Sequence, residues 1–573
     1  MRWNADVRAP GLAGPRWGVL FFGLMAGLSG SGRASEAVPG AGTLLQQARP
    51  PAVQPVPTPS DVGVRLDIPP GAPLPPSAPF RVQSFRINGN TLFPAETLLA
   101  LIDDARGKDL TLPDLGALAA RITEFHTRRG YPLVRAVVPA QVIRGGEVEL
   151  RVIEGRYGRV ILDNSSAIRE SLLQSTLSRL QPGQVVSQEA LDSVLLLLTD
   201  MPGISTVAAL KPGQSPGLSD LMVSTMPGPP VSGQIGLENY GGASTGRRRL
   251  NAALNIPNPL RFGDLLSLNL LSPGGNMLYG RAGYEVLVDG AGTRLGGSLS
   301  SVRYSLGGSM AALDAEGTAQ VLGLNLRRPL VRSRMLNAQV SAQLEHKRLV
   351  DRVDTANLRT DREVDLLQLG LSADRRDDLG GGGVFSGSLT WSTGRVGFQS
   401  AAARTADAAA GNTQGAFSKL NLALARVQGL GPAATLTVAL SGQWTNRNLD
   451  PAEKTSVGGP SSVRAYDVSV VSGDSAVVAS VDLRRRLGAL PGGIPGSWQV
   501  GLFFDAASVT VNSKPWAAAV NSLDLRGAGL GLEWAGPHQV GARLQVGQRL
   551  GDTPAGLKDP ARTRAWAELG WKF

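Results

Sequence analysis

The sequence predicts a mainly β protein, a sixteen-stranded antiparallel transmembrane β-barrel preceded by two α+β domains. Three observations lead to this fold class. Stretches in which apolar and polar residues alternate follow one another from residue 231 onward. Their connections tend to be long after odd-numbered strands and short after even-numbered ones, a pattern typical of outer-membrane barrels. Upstream, the segments 80–155 and 156–228 share one order of strands and helices, which indicates an internal repeat.

Residues 1–34 have the features of a secretory signal peptide. Arg2, Arg8 and Arg16 precede an apolar stretch that begins at Trp17, and small residues follow it. The apolar stretch of about 12 residues is shorter than the roughly 20 that a membrane-spanning helix needs. We therefore expect an exported bacterial protein.

Residues 35–79 are predicted to contain a short helix and a proline-rich linker. The segment from Gly42 to Arg49 is long enough for about two helical turns. Prolines then crowd the chain from Pro50 to Pro79. Such a composition favours an extended, semi-rigid spacer.

The two repeated units are each predicted as a strand, two helices and two strands. In the longer helix of the first unit, residues at helical spacing form one apolar stripe, and His126 is expected to face solvent. The stripe consists of Leu115, Leu118, Ala119, Ile122 and Phe125. The predicted elements are 80–87, 95–105, 112–128, 133–138 and 147–153 in the first unit, and 158–162, 168–180, 188–199, 207–210 and 218–224 in the second.

The barrel is assigned to residues 229–573. Alternation is clean in several stretches, for example where Leu266, Leu268 and Leu270 alternate with Ser267 and Asn269. Because side chains of a strand point to alternate faces, each stretch has one apolar and one polar face. The sixteen predicted strands are 231–241, 248–260, 264–274, 276–288, 293–306, 317–331, 335–351, 362–377, 382–397, 417–430, 434–446, 473–488, 497–509, 522–536, 538–551 and 563–573.

The closing segment 563–573 is expected to be the final barrel strand. Trp571 and Phe573 lie on its apolar face, with Lys572 and Glu568 on the other. We expect Trp571 and Phe573 to act as the barrel-assembly signal. A soluble secreted β-protein could contain such a strand. It gives no reason, however, for long loops after odd-numbered strands and short ones after even-numbered strands.

Composition argues against several functions. The formal net charge of +11 raises nucleic acid as a partner, but the basic residues are scattered and form no focused patch. The chain has no cysteine and only three histidines, which are far apart, and it lacks a phosphate-binding glycine loop with lysine. We expect no enzyme activity, no catalytic residues, no cofactor and no metal site.

Several short motifs resemble the TpsB transporters of two-partner secretion, which are haemolysin or haemagglutinin activator-type proteins with POTRA domains before a barrel. The likeness covers nearly the whole mature chain. The segments that carry it include Arg129-Gly130-Tyr131, Gly145-Gly146-Glu147, Met201-Pro202-Gly203, Asn239-Tyr240-Gly241 and Asn258-Pro259-Leu260. The resemblance implies that 80–155 and 156–228 are POTRA domains in the periplasm. It also relates residues 38–49 to the helix that plugs the pore in relatives.

The most specific motifs are Val463-Arg464-Ala465-Tyr466, between strands eleven and twelve, and Phe503-Phe504-Asp505-Ala506-Ala507 in strand thirteen. The resemblance implies that the loop folds back into the barrel and that Arg464 pairs with Asp505 on the inner wall. Phe503 shares the face of Asp505. The lumen suits Asp505 because a charged side chain that faces lipid at mid-membrane is destabilising.

Both motifs depart from the family pattern by an alanine in place of glycine, at Ala465 and Ala507. Alanine does not comfortably adopt a positive φ. Either these positions need no positive φ, or the loop takes a different path here.

The resemblance implies an outer-membrane transporter that recognises a large unfolded TpsA-type exoprotein of the adhesin or haemolysin class and secretes it through the barrel pore. Its other partners would be outer-membrane lipid and the barrel-assembly machinery that inserts it, with no nucleic acid. Two alternatives remain. One is a barrel-assembly factor of the same superfamily, and the other is a passive porin or adhesin.

Overall fold

The computed structural model describes residues 38–48, 64–66, 74–489, 493–557, 559 and 561–573. The predicted signal peptide and most of the predicted proline-rich linker lie outside the described residues. In the part of the chain that the structure describes, no helix is both long and apolar enough to cross a bilayer.

Helices and strands are labelled in chain order. The α-helices are α1 (Ala41–Ala48), α2 (Ala95–Ala100), α3 (Leu112–Arg128), α4 (Glu170–Leu177), α5 (Gln188–Thr199) and α6 (Ala401–Ala409). The strands before the barrel are β1 (Val64–Leu66), β2 (Phe80–Arg81), β3 (Ser84–Asn88), β4 (Asp109–Leu110), β5 (Arg135–Val137), β6 (Glu147–Ile153), β7 (Arg156–Asn164), β8 (Ile204–Pro212) and β9 (Leu218–Pro227).

The remaining strands belong to the barrel, except for β21 and β22, which lie in one of its loops. They are β10 (Ser232–Glu238), β11 (Arg249–Pro257), β12 (Leu265–Ser272), β13 (Met277–Leu287), β14 (Arg294–Ser305), β15 (Ala315–Arg332), β16 (Leu336–Val353), β17 (Leu358–Asp377), β18 (Gly383–Phe398), β19 (Gly415–Gly429), β20 (Ala434–Trp444), β21 (Thr455–Val457), β22 (Val471–Gly473), β23 (Ser475–Gly488), β24 (Ser497–Thr510), β25 (Ser522–Ala535), β26 (Val540–Arg549) and β27 (Thr563–Lys572).

The two units before the barrel share one topology. In the first, β3 is parallel to β6 and β5 is antiparallel to β6. In the second, β7 is parallel to β9 and β8 is antiparallel to β9. Two helices follow the first strand of each sheet and pack on it, so each unit has its own apolar core.

One edge of the second sheet carries an additional strand. Residues 64–66 form β1, which pairs in parallel with residues 208–210 of β8. The equivalent strand of the first unit is β5, and among the described residues its outer edge is unpaired.

The sixteen predicted strands are confirmed. Each predicted stretch overlaps one barrel strand, and β10 to β20 together with β23 to β27 form one closed antiparallel sheet. Alternate residues face opposite sides of the wall. In β15, Leu322, Leu324 and Leu326 are exposed on the outside, whereas Ala319 and Val321 are buried on the inside. An apolar outer surface of this kind suits contact with lipid.

The barrel closes where β10 pairs with β27. Their register runs from the pair Gln234 and Lys572 to the pair of Glu238 and Glu568. Gly233 and Phe573 extend it by donating backbone hydrogen bonds to each other's carbonyl oxygens, at 2.9 and 3.0 Å. We call this junction the seam.

The second unit docks on the rim of the barrel where the short turns lie. The Arg332 guanidinium donates two hydrogen bonds of 2.7 Å to the carboxylate of Asp200 at the end of α5. Arg334 lies 2.9 Å from Asp192. Arg169, before α4, stacks over the ring of Phe262 at 3.7 Å. Bidentate pairs fix orientation as well as distance, so this unit is held in a defined position under the barrel.

The expectation that His126 faces solvent is wrong. His126 is fully buried, and its Nδ1 lies 2.8 Å from the carbonyl oxygen of Ile122. Because residues four apart share one face of a helix, His126 continues the stripe that contains Ile122. The rings of Phe93 and Phe125 lie edge-on to the imidazole.

A buried carboxylate joins the two units. Glu154 accepts hydrogen bonds from the backbone N–H groups of Thr91 and Leu92, and Arg156 Nη2 lies 3.1 Å from its other oxygen. Burial opposes ionisation of Glu154, but the hydrogen bonds from Thr91 and Leu92 and the charge of Arg156 outweigh it, so its pKa lies below the ordinary value. The ionised carboxylate therefore stabilises this junction.

We predict that Glu154→Gln destabilises the first unit by about 1–3 kcal/mol at neutral pH, because buried N–H donors lose a charged acceptor. A group with a depressed pKa stabilises the fold above its ordinary pKa, and that contribution is lost as the pH falls through the folded pKa. The difference between wild type and variant should therefore shrink below about pH 4. Pulse proteolysis of the full chain in detergent across this range measures it. A difference that does not depend on pH would contradict the role of the charge.

Candidate functional site

The connection between β20 and β23, residues 445–474, folds into the interior of the barrel. We call it the lumen loop. Its strands β21 and β22 pair with each other. Val463, Ala465 and Tyr466, near its tip, are at most 1% exposed and pack on apolar side chains of the inner wall, including Val509 and Leu525.

Arg464 contacts the inner wall through a two-pronged pair with Asp505 of β24. Its Nη2 donates to Asp505 Oδ1 at 2.6 Å and its Nε donates to Asp505 Oδ2 at 2.8 Å. The backbone N–H of Arg464 donates to the same carboxylate at 3.0 Å. Asp505 is fully buried. Phe504 is 42% exposed on the opposite face, which places Asp505 on the lumen side.

A second carboxylate, which was not recognised from the sequence, completes the arginine's surroundings. Asp482 of β23 accepts from Arg464 Nη1 at 2.8 Å. Ser480 lies on the same face and donates to Asp505 at 2.8 Å. The alternation in β23 places Ser480, Asp482 and Arg484 on one side, and this pattern could have indicated a polar inner face.

The Phe503 ring covers the guanidinium. The Arg464 Cζ lies 3.6 Å from the ring centroid of Phe503, which is 5% exposed. A desolvated cation over an aromatic face is attracted by the ring quadrupole. Two carboxylates and one ring therefore enclose the arginine on the inner wall.

The two alanines that replace family glycines need no unusual backbone. Neither Ala465 nor Ala507 has a positive φ. Both side chains are buried in the same apolar cluster as Tyr466. Room for the loop comes from the wall instead, because a Cβ on Gly527 would lie 2.4 Å from the Cβ of Ala465. A Cβ on Gly547 would lie 2.8 Å from the Arg464 carbonyl oxygen.

The loop tip also contacts both sides of the seam. Trp566 of β27 is buried, and its indole N–H donates to the Arg464 carbonyl oxygen at 2.7 Å. Asp467 accepts two hydrogen bonds, of 3.0 and 2.8 Å, from Arg247 in the connection after β10. Arg564 of β27 lies 3.6 Å from Asp467. The loop tip thus contacts the last barrel strand and the connection that follows the first.

Trp571 and Phe573 lie apart from this site. Their side chains are 46% and 42% exposed, and their ring centroids are 5.0 Å apart. Trp571 shares the outward face of β27 with Leu569. They border the seam on the side opposite to Trp566.

Helix α1 lies inside the barrel. Leu44, Leu45 and Ala48 are at most 3% exposed and belong to one apolar cluster with inner-wall residues such as Tyr279 and Val302. Among the described residues, no cluster of His, Cys, Asp and Glu could hold a metal ion.

Comparison with known proteins gives two family matches. Residues 217–534 match the family described as haemolysin secretion/activation protein ShlB/FhaC/HecB. Residues 80–155 match the POTRA domain, ShlB-type.

Individual relatives are distant in sequence. The chain is 26% identical over 461 residues to the heme/hemopexin transporter protein HuxB of Haemophilus influenzae (strain 86-028NP), covering 79% of this chain and 80% of the relative. It is 24% identical over 429 residues to the outer membrane transporter CdiB of Escherichia coli, covering 72% and 70%. The solved structure of CdiB from Escherichia coli superposes with a TM-score of 0.69 at 21% identity, covering 88% of this chain and 93% of that one.

We predict that Gly527→Ala releases the loop tip, because the added methyl group would overlap Ala465. Overpacking of this kind costs about 1–3 kcal/mol. Arg464 is 5% exposed, so trypsin has little access to the bond that follows it while the tip is in place. Limited trypsinolysis of the folded variant should therefore yield a fragment that begins at Ala465, identified by mass spectrometry.

Gly501→Ala is the matched control. Its added Cβ would lie 3.5 Å from the Arg484 Cγ and from the Leu483 carbonyl oxygen, an ordinary contact distance. Equal cleavage after Arg464 in both variants would contradict the role assigned to the space at Gly527.

Proposed function

This chain belongs to the haemolysin secretion/activation family ShlB/FhaC/HecB, and from that premise we propose that it exports one large exoprotein, unfolded, from the periplasm to the cell surface. The chain is an outer-membrane transporter of two-partner secretion, with its POTRA domains on the periplasmic side. The exoprotein is a TpsA-type partner. We propose that this exoprotein is an adhesin or a haemolysin, that the transporter recognises it in the periplasm, and that it passes through the barrel pore.

The observation that carries the proposal is the joining of a POTRA-type unit to the rim of a closed barrel by ion pairs such as Arg332 to Asp200. A passive pore has no need of a protein-binding module held at its entrance. A fixed module can deliver an extended chain to the opening beside it. The exoprotein then binds the module first and enters the barrel second.

We propose that the partner's N-terminal secretion domain adds a strand to the edge of β5. Strand addition uses the unpaired backbone groups of an exposed sheet edge. The equivalent edge in the second unit accepts β1 from this chain. At β5 the edge is unpaired among the described residues, and Val137 is 37% exposed.

Val137→Lys should weaken partner binding, because a lysine on an edge strand disfavours the addition of another strand. Val142→Lys is the control, since Val142 is 80% exposed and lies between β5 and β6, outside the strands. Secretion of the partner exoprotein should fall for Val137→Lys and stay at the parent level for Val142→Lys. Equal secretion by the two variants would exclude the β5 edge as the site where the partner adds a strand.

Arg464 holds the lumen loop in the conformation that transport requires. We expect Arg464→Ala to abolish secretion while the barrel still inserts. The substitution leaves Asp505 buried without its cation, which costs about 3–5 kcal/mol for such a pair. Arg464→Lys should also be defective because an ammonium cannot make the two-pronged contact. Secretion and heat-modifiable electrophoretic mobility are measured on the same cells, and full export by Arg464→Ala would refute the role.

The two alternatives predict other outcomes. For a barrel-assembly factor, depletion of this protein would remove other barrels from the outer membrane. For a passive porin, channel activity and any transport would survive deletion of 80–228. We expect that deletion to stop secretion and depletion to leave other barrels in place.

Outer-membrane lipid covers the apolar outer face, and the barrel-assembly machinery recognises Trp571 and Phe573. Substituting both residues with alanine should lower the amount of inserted barrel.

The chain uses no cofactor and catalyses no reaction, so secretion should persist in vesicles without added nucleotide. We place the boundaries at 1–34, 35–79, 80–155, 156–228 and 229–573, to be checked by N-terminal sequencing and limited proteolysis.

A further inference from the structure

The lipid-facing side of the barrel changes from apolar to charged partway along β16. Its outward residues from Leu336 to Leu344 are all leucine, alanine or valine, and His346 and Arg348 follow on the same face. A strand of that apolar length rises about 27 Å, enough to cross most of a hydrophobic band about 25 Å tall when tilted. Because β16 begins beside the turn that contacts the second unit, its charged end lies at the extracellular boundary of the membrane.

A hollow of about 460 Å³ opens on the outer face at the level where the charges begin. We call it the outer hollow. Its floor consists of side chains from β15, β16 and β17, namely Leu322, Leu324, Leu344 and Leu367. The first three of these leucines are each more than half exposed. On β18, Trp391 faces outward just below the hollow, as is typical of the aromatic girdle at a membrane interface. The floor is therefore an apolar surface that acyl chains can cover.

Three polar side chains border the outer hollow on its extracellular side. They are His346, Asp365 and Arg395, which belong to β16, β17 and β18. In the strand register, Asp365 lies opposite both of the others. The His346 Nδ1 lies 2.7 Å from Asp365 Oδ1. The Asp365 side chain is 74% exposed, so its carboxylate stays accessible from outside.

Arg395 is an exposed cation at the edge of this apolar floor. Although it lies opposite Asp365, that carboxylate contacts His346, and among the described residues Arg395 has no ion-pair partner. The neighbouring outward arginine differs, since Arg348 lies 3.0 Å from Glu363. A guanidinium matches a phosphate group with two parallel N–H donors. Arg395 therefore suits an anionic ligand that approaches from the lipid side.

The combination of groups favours a phosphorylated glycolipid over a plain anionic headgroup. A guanidinium binds phosphate, whereas a carboxylate repels phosphate but accepts hydrogen bonds from hydroxyl groups. Asp365 next to Arg395 thus suits a sugar that carries a phosphate. The leucine floor suits acyl chains attached to that sugar. Lipids of this class form the outer leaflet of bacterial outer membranes, and this is the leaflet beside the outer hollow.

We propose that the outer hollow binds one molecule of a phosphorylated glycolipid, with its phosphate on Arg395, a sugar hydroxyl on Asp365 and an acyl chain over the leucine floor. His346 holds the Asp365 carboxylate in place for this contact. The bound lipid fixes the wall formed by β15 to β18 at one depth in the outer leaflet. The inference rests on the outer-membrane location of the chain and not on the export of an exoprotein.

Native mass spectrometry of the purified full-length chain in detergent tests this site, with diphosphoryl lipid A as the probe. The parent chain should retain one lipid A molecule after the detergent has been removed in the gas phase. Arg395→Ala should weaken retention at least about tenfold, because a charge-assisted contact with phosphate is strong enough for such a change. Leu344→Trp fills the floor without altering any charge and should also weaken retention.

Arg328→Ala is the matched control, since Arg328 is an exposed outward arginine of β15 near the periplasmic end of the apolar face. This variant should retain lipid A like the parent. Phosphatidylglycerol, which has one phosphate and no sugar, should bind the parent at least about tenfold more weakly than lipid A. Equal retention by the parent and Arg395→Ala, an equal loss in Arg328→Ala, or equally tight binding of phosphatidylglycerol would each overturn the proposal.

The temperature at which the barrel unfolds, read from heat-modifiable electrophoretic mobility, supplies a second measurement. A ligand that binds only the folded state raises this temperature. Lipid A should raise it for the parent and Arg328→Ala but not for Arg395→Ala, and an equal rise in all three overturns the proposal. Neither measurement uses cargo, so a chain that binds lipid A but secretes nothing would refute the proposed function and not this inference.

Discussion

A barrel strand in a bilayer has no water to satisfy an unpaired edge, so the sheet must close on itself. In this protein closure depends on the pairing of β10 with β27, which runs from Gly233 to Glu238 at the first strand. Some other neighbouring strands, such as β16 and β17, are paired over much longer stretches. Contacts from inside supplement the short seam, because Trp566 ties the loop tip to β27 and Asp467 ties it to the connection after β10.

Closure creates a wide interior in which charged side chains lose water and need partners. Buried ion pairs of this kind add little net stability, but removing one partner is costly, so they define one arrangement. Arg464 with Asp505 and Glu453 with Lys419 fix the lumen loop at two places, and helix α1 fills the space between loop and wall. Matched charges and apolar packing against the inner wall together hold these parts in the lumen.

Much of the fold could be predicted because the sequence patterns that indicate its strands and helices involve residues close together in the chain. Alternation gave all sixteen barrel strands, and the stripe of α3 gave the core face of the first unit, although His126 was placed on the wrong side of it. The pairing of Arg464 with Asp505 was expected from a family likeness and not from spacing. Asp482, Trp566 and Asp467 were missed, since each contacts the loop from a strand or loop distant in sequence, and a single sequence contains no record of such contacts.

The sequence by itself determined the period of every strand, the sorting of long and short connections, and the repeat before the barrel, because these depend on side chains a few residues apart. Only the tertiary structure decided that β1 pairs with β8, that Glu453 lies between Lys347 and Lys419, and that Gly42 rests on Ala452. Those contacts join residues far apart in the chain, and they exist only after the closed sheet has brought its inner face around the loop and the helix.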